Sequence, residues 1–319
     1  FRYLLHLIIL SFMSCSANHK NNILDEIVNS LQSEFPDVVS KPKKYRLQIL
    51  YTQIDRNKKN EPILSTHSFG VDTGKYFYPA SCIKLPIAVL ALEKARSISK
   101  VGIYDRFEIL PGPIYKSGVG NDVSSKSGYP SLAHSIRNLF IISDNSANNY
   151  LYDFLGRDHI NKRLWDLGYN SSRIKHRLSL SLSKEENKFT HPINFYNESN
   201  ISYEQKSQIA SLYLDLNVED FKIGKSHYVS GTKIDGPLDF SSKNFMNLSD
   251  QHELIKRIMF PNHFKNRVRF NLSDSDYSML YREMSILPRE SETQVFLIMT
   301  NITMDIVSSF YLVIRKEEF

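Results

Sequence analysis

Two neighbouring runs near the start of the 319-residue chain, residues 46–54 and 62–71, are β-branched and apolar, and only the polar stretch DRNKKNE separates them. The pattern predicts an antiparallel hairpin with a long turn. A sheet of two strands is marginal in water, so the rest of the chain must cover or extend it. Most of the remaining chain has helical rather than alternating spacing. Residues 22–35, ahead of the hairpin, carry Ile23, Leu24, Ile27, Val28, Leu31 and Phe35 at helical intervals, and Pro36 ends the run. After the hairpin comes YFYPASCIKLPIAVLALEKA, a strongly apolar helix from about Ser81 onward. Residues 111–130 are rich in Gly and Ser and read as a long surface loop. Residues 132–142, 144–155 (stopped by Gly156), 159–167 (ended by Gly168), 203–217, a segment capped by Ser249 and stopped by Pro261, and 275–287 (stopped by Pro288) all read as helices. Residues 173–192 are polar and irregular, and residues 229–240 form a second small hairpin. The order implies an α+β fold with a helical lobe inserted after the first two strands. The strands that complete the sheet are expected downstream of Pro288.

Composition removes several function classes. Apolar residues make up 41% and charged residues 23%, ordinary values for a folded domain. No run reaches the ~20 apolar residues of a spanning helix, which argues against a multispan membrane protein. Only 12 Gly and 12 Pro with no recurring period argue against collagen-like or repeat architectures. The net charge of +6 comes from 40 Lys+Arg spread along the whole chain. A nucleic-acid reader clusters its basic residues, so no nucleic-acid partner is expected. The ten histidines include no HExxH, and neither cysteine belongs to a CxxC pair. Neither a metal nor a cofactor is expected, and no nucleotide-binding glycine loop is visible.

The N-terminus reads FRYLLHLIILSFMSC. Arg2, an apolar stretch from Tyr3 to Met13, small Ser14 and then Cys15 read as an export signal too short to span a bilayer as a mature helix. Small-then-Cys resembles a bacterial lipoprotein signal, with Cys15 the lipidated residue; a plain signal with a chance cysteine is the other reading. Cys15 and Cys82 could form one disulfide in an exported protein, a bridge that lipidation of Cys15 would preclude. The chain opens on Phe, which predicts a natural start upstream.

Ser81-Cys82-Ile83-Lys84 is an S-x-x-K string. At the start of a helix, positions i and i+3 share a face, which places an amine beside a hydroxyl. A lysine of depressed pKa can take the serine proton, and the free N–H groups of the helix N-terminus suit an oxyanion. Five other S-x-x-K strings occur, at residues 40–43, 97–100, 172–175, 181–184 and 230–233. Only Ser81 follows an aromatic-Pro-Ala segment and opens an apolar helix, the partial burial that lowers a lysine pKa. Ser143-Asp144-Asn145, 62 residues after Ser81, occurs once, at the junction of two helices. Alone it reads as a helix N-cap.

Together, FYPASCIKLPIAVLALEK and IISDNSANNYLYDFLG resemble the class A serine β-lactamase and penicillin-binding protein superfamily, whose motifs are S-x-x-K, S-D-N and K-[ST]-G. The resemblance spans residues 22–290. It implies a β-lactamase-like fold with a helical lobe and an antiparallel sheet. It implies Ser81 as the acylated nucleophile, Lys84 as its proton partner, Ser143 as the proton shuttle to the leaving nitrogen, and Asn145 as the holder of Lys84 and of the substrate amide. The implied partner is a β-lactam or a peptidoglycan-like peptide.

Three features depart from that pattern. Lys116-Ser117-Gly118 and Lys126-Ser127-Gly128 spell K-[ST]-G but fall between the first two motifs, where they read as loop decoys, and none follows Asn145. Class A relatives carry a deacylating Glu in an E-x-x-x-N string past S-D-N; here the region reads KEENKFTHP, with Glu185 and Glu186 as weak candidates. Pro86 lies inside the nucleophile helix and should bend it, at a cost of ~3 kcal/mol unless the first turn absorbs it. The resemblance stops near Glu292, and a frameshift or interrupted gene is expected there.

The expected organisation is a signal over residues 1–15, a serine hydrolase domain over 16–292 and an aberrant tail over 293–319. The expected function is an exported, lipid-anchored serine hydrolase of the cell envelope or periplasm, acting on a cyclic amide. The alternatives are a D,D-peptidase or esterase on the same fold, and a non-catalytic envelope lipoprotein or inactive remnant.

Overall fold

The computed structural model describes residues 22–229 and 231–291. The signal segment with Cys15, the tail at 293–319 and any strands far beyond Pro288 lie outside the described residues.

By contacts the chain divides into two compact units, one made of residues up to Asp55 with Ile63–Val71, the other of Arg56–Pro62 and everything from Asp72 on. The first holds helices α1 (Ile23–Ser30) and α2 (Pro36–Ser40) and nearly all of strands β1 (Ile49–Arg56) and β2 (Pro62–Phe69), which pair as expected. Asn22 caps α1 by accepting from Leu24 N, and its amide donates to Ser68 O at 2.6 Å, which ties the helix to β2. Leu24 and Val28 supply the buried face. Pro36 opens α2 instead of closing α1, because proline lacks only an N–H that the first helical turn leaves unbonded anyway.

The second unit contains α3 (Lys84–Ser97), β3 (Arg106–Ile109), α4 (Leu132–Ile141), α5 (Asn145–Leu155), α6 (Arg157–Asp166), β4 (Phe189–Thr190), β5 (Ile193–Asn197), β6 (Asn200–Gln205), β7 (Gln208–Ile209), β8 (Lys222–Ile223), β9 (Ser226–Val229), β10 (Thr232–Asp235), β11 (Leu238–Asp239), α7 (Leu248–Met259) and α8 (Asp274–Ser285). Every residue of α3 from Lys84 to Glu93 is buried. A helix apolar on all sides needs neighbours all round, and α4, α5 and α6 pack against it. Pro86 is the third residue of α3, within the first turn, so the expected loss of a helix hydrogen bond does not arise.

Several expectations are corrected. A three-stranded antiparallel sheet, β3-β5-β6, was not anticipated. Its registers set Phe107 opposite Phe195 and Phe195 opposite Tyr203, and Phe154 of α5 packs edge-on against Phe195. Residues 203–217, expected as a helix, hold the end of β6, then β7 paired with β4, then irregular chain. The apolar spacing of Ala210 and Leu214 imitates a helix, but the backbone bonds elsewhere. Asp158 at the start of α6 accepts from the N–H groups of Ser211 and Leu212, and Arg157 donates to Leu212 O. Asn247, not Ser249, caps α7. Ser273 caps α8 in a reciprocal box with Asp276. The small hairpin near 229–240 exists as β9–β10, flanked by the β8–β11 pair. Among the described residues, no helix is long and apolar enough to cross a membrane.

Candidate active site

Ala80–Ile83 forms a 3₁₀ turn that runs directly into α3. In such a turn side chains at i and i+3 eclipse, so Ser81 and Lys84 leave the backbone on one side. Ala80, just before Ser81, has φ +44°, a conformation that costs a non-glycine residue energy and collects at functional sites.

Lys84 is 3% exposed. Its Nζ donates to the Ser143 carbonyl at 2.5 Å and meets Ser143 Oγ at 2.8 Å. Ser143 Oγ is in turn 3.4 Å from Ser81 Oγ, a long hydrogen bond. The three side chains therefore form one path, Ser81 to Ser143 to Lys84. Burial lowers the Lys84 pKa from 10.5 to about 8, against the opposing pull of the Asp144 carboxylate. Burial pushes the Cys82 thiol next to Ser81 above its ordinary pKa.

The S-D-N string caps a helix and brings Ser143 to Lys84. Asp144 is the N-cap of α5, accepting from Ser146 N at 2.8 Å. Its own N–H donates to Asn138 O at the end of α4. That sharp junction leaves Ser143 at φ +53°, facing Lys84. Asn145, in the first turn of α5, donates from Nδ2 to Ser179 Oγ at 2.7 Å. Among the described residues no hydrogen bond joins Asn145 to Lys84.

Ser179 is the residue that sequence reasoning missed. It too has a positive φ, +54°, and it lies in the segment read as merely polar and irregular. Nothing in its neighbourhood RLSLSLSK sets it apart from the other serines. Glu185 and Glu186, the weak candidates for a deacylating base, are both exposed and turned to other partners. Glu185 pairs with Lys188 at 2.7 Å, and Glu186 accepts from Ser183 N at 2.7 Å. The two K-S-G strings lie in the loop between β3 and α4. Among the described residues no group of three or more His, Cys, Asp or Glu side chains is placed to hold a metal ion.

Behind the site, Arg177 and Asp153 form a fully buried bidentate pair, with Nη2 to Oδ1 at 2.7 Å and Nε to Oδ2 at 3.2 Å. His191 adds two more bonds to Asp153, one of them from its backbone N–H to Oδ1 at 2.9 Å. Its Nε2 accepts from the N–H groups of Ile114 and Tyr115, so Nδ1 carries the proton and donates to Asp153 Oδ1 at 3.1 Å. The segment from 173 to 192 is thus irregular in form but rigidly anchored.

A sequence model of the beta-lactamase enzyme family matches residues 30–207, a span that contains Ser81, Lys84, Ser143, Asn145 and Ser179. The chain belongs to the beta-lactamase enzyme family. Its helices and small antiparallel sheets make an α+β fold, the class expected from the sequence. Solved structures similar to this family member include a beta lactamase from Burkholderia vietnamiensis, at 12% identity over 85% of this chain and 71% of that one with a TM-score of 0.43. The chromosome-encoded beta-lactamase of Vibrio parahaemolyticus matches at 11% identity over 82% and 69%, with a TM-score of 0.40. A beta-lactamase from Sphaerobacter thermophilus matches at 14% over 80% and 70%, with a TM-score of 0.38. No curated protein sequence matches the chain.

Proposed function

We propose that this member of the family is a serine hydrolase acylated on Ser81 by a cyclic amide, a β-lactam. The observation that carries the reading is the continuous path from Ser81 Oγ through Ser143 Oγ to the amine of Lys84. Ser81 Oγ attacks the amide carbonyl while its proton passes to Ser143 and the Ser143 proton passes to neutral Lys84. The C–N bond then breaks. The departing nitrogen takes a proton from Ser143, which recovers one from Lys84. The product is an ester on Ser81, with Lys84 neutral again. A lysine held near pKa 8 can both accept and return that proton at neutral pH.

A second reading on the same fold, a penicillin-binding D,D-peptidase or esterase, is favoured by one observation. Among the described residues no carboxylate hydrogen-bonds to Ser81, Lys84, Ser143 or Asn145. Hydrolysis of the ester needs a base to activate water, and a site in which no carboxylate bonds to these side chains favours an ester that persists. A chromogenic cephalosporin and a fluorescent penicillin separate the two. Turnover at enzyme-like rates, above about 1 s⁻¹, supports the β-lactamase. Stoichiometric labelling with slow release supports the peptidase. A cooperatively folded protein that reacts with neither would be a non-catalytic envelope protein.

Export and lipid attachment at Cys15 complete the proposal, and they rest on the N-terminal residues alone. Incorporation of labelled palmitate that disappears in Cys15→Ala tests them.

A further inference from the structure

Residues 222–239 run out as a narrow ribbon, with the β8–β11 pair at its base and the β9–β10 hairpin beyond it. Every residue of β10 is exposed, and so are Tyr228 and Val229 of β9. A lone two-stranded hairpin is marginal in water, and among the described residues no strand pairs with the outer edge of β9 or of β10. The ladder fixes what each edge offers. Gly236 N–H donates to Lys225 O at 2.8 Å. From there the register sets Asp235 opposite Ser226, Ile234 opposite His227 and Lys233 opposite Tyr228. Bonded and non-bonded pairs alternate along an antiparallel ladder. Ile234 therefore bonds to β9, while Lys233 and Asp235 turn their N–H and C=O groups to the free edge. Their side chains share one face of the strand, with Nζ 4.0 Å from Oδ1, and both are exposed.

We propose that the edge of β10 pairs with the same edge of a second copy of this chain, antiparallel, with the two-fold axis at Ile234. About that axis Lys233 falls opposite the partner's Asp235, and Asp235 opposite the partner's Lys233. The outward N–H and C=O groups of these residues complete two bonded pairs, and Ile234 meets the partner's Ile234 in the closely spaced non-bonded pair between them. Opposite charges that face each other across strands stabilise the pairing. A lysine alone on an edge keeps other edges away; a lysine with an aspartate two residues on matches its own reversed copy. The edge of β9 carries no such code, since its outward residues are Ser226 and Tyr228 and His227 would lie on the axis. Four residues a side make a small interface, at the weak and reversible end of the range.

The test traps the pair in the full chain by disulfide formation. Cα atoms of a non-bonded antiparallel pair lie about 4.5 Å apart, within disulfide reach. Under mild oxidation Ile234→Cys should link two copies about tenfold faster than Thr232→Cys, because pairing raises the effective concentration only of residues on the axis. Wild type, which keeps Cys15 and Cys82, gives the background. Adding Lys233→Glu to Ile234→Cys sets a carboxylate against the partner's Asp235 and should cut the rate to that of Thr232→Cys. Adding Asp235→Lys as well reverses both charges and should restore it. All the substituted positions are exposed, so the thermal midpoints should not move. Equal linking at positions 232 and 234 would mean random encounter and would overturn the proposal. So would an Ile234→Cys rate no higher than background, one that ignores Lys233→Glu, or one that the double charge reversal fails to restore. None of these outcomes bears on acylation of Ser81.

Discussion

The amine of Lys84 sits 2.8 Å from Ser143 Oγ and 2.5 Å from the Ser143 carbonyl, although 59 residues separate the two in the chain. One contact joins the turn that opens α3 to the junction of α4 and α5, and it fixes what each residue does. Loss of the Ser143 hydroxyl would leave the buried amine with the Ser143 carbonyl as its remaining partner. Lys84 cannot leave without removing the basic group that faces Ser143.

Replacement of Lys84 by methionine therefore should slow acylation by about 10²–10⁴-fold, the usual worth of a positioned general base. The fold should survive, because an apolar chain of similar length suits a pocket in which lysine is only 3% exposed. Labelling rates and thermal midpoints of Lys84→Met check the two halves separately.

Acylation should rise with pH. The reactive form has neutral Lys84, and with its pKa held at about 8 roughly a tenth of the molecules qualify at pH 7. The second-order labelling rate should climb about tenfold per pH unit below 8 and level off above it. A flat profile from pH 6 to 9 would exclude Lys84 as the base.

The pair of Arg177 and Asp153 should dominate local stability. Asp153→Asn leaves a guanidinium buried without its countercharge, a loss of ~3–5 kcal/mol, readable as a lowered midpoint in urea.

Alkaline pH should stabilise the fold before it destabilises it. Burial holds Lys84, Lys94 and Lys175 at about 8, below the 10.5 of an unfolded lysine. Between about pH 8 and 10.5 the unfolded chain binds more protons than the folded one, so unfolding becomes harder as pH rises. The raised thiol of Cys82 opposes this from about pH 9. The tyrosines that burial pushes up, among them Tyr76, Tyr115, Tyr152 and Tyr169, reverse it above about pH 10, where only unfolded tyrosine ionises. Urea midpoints across pH 7–11 should pass through a maximum between pH 9 and 10.5.

Glu185→Gln and Glu186→Gln should leave the release of a bound acyl group unchanged within about twofold, as is usual for exposed carboxylates away from the chemistry. A large drop in either variant would mean that the segment around 183–188 moves onto the site during hydrolysis.

The motif-bearing helices were readable because their signals are local. The apolar run after Ser81, the stop at Gly156 and the S-D-N junction each declare themselves within a few residues. The β3-β5-β6 sheet was not readable. β3 is four residues long, and its partner β5 is paired from Ile193 to Tyr196, far along the chain. The segment at 203–217 misled because Ala210 and Leu214 keep helical spacing while Asp158 and Arg157 take the backbone groups a helix would need. Ser81, Lys84, Ser143 and Asn145 could be named from two strings. Ser179 could not, since its bond to Asn145 joins residues 34 apart in the chain, which no local pattern reveals.

The most direct test of the account is the mass of the intact protein after exposure to benzylpenicillin, followed by mapping of the modified peptide. The account expects one added penicilloyl group, carried by the peptide containing Ser81, and none in Ser81→Ala. A folded wild-type protein that gains no mass, or a Ser81→Ala protein that gains as much, would contradict it.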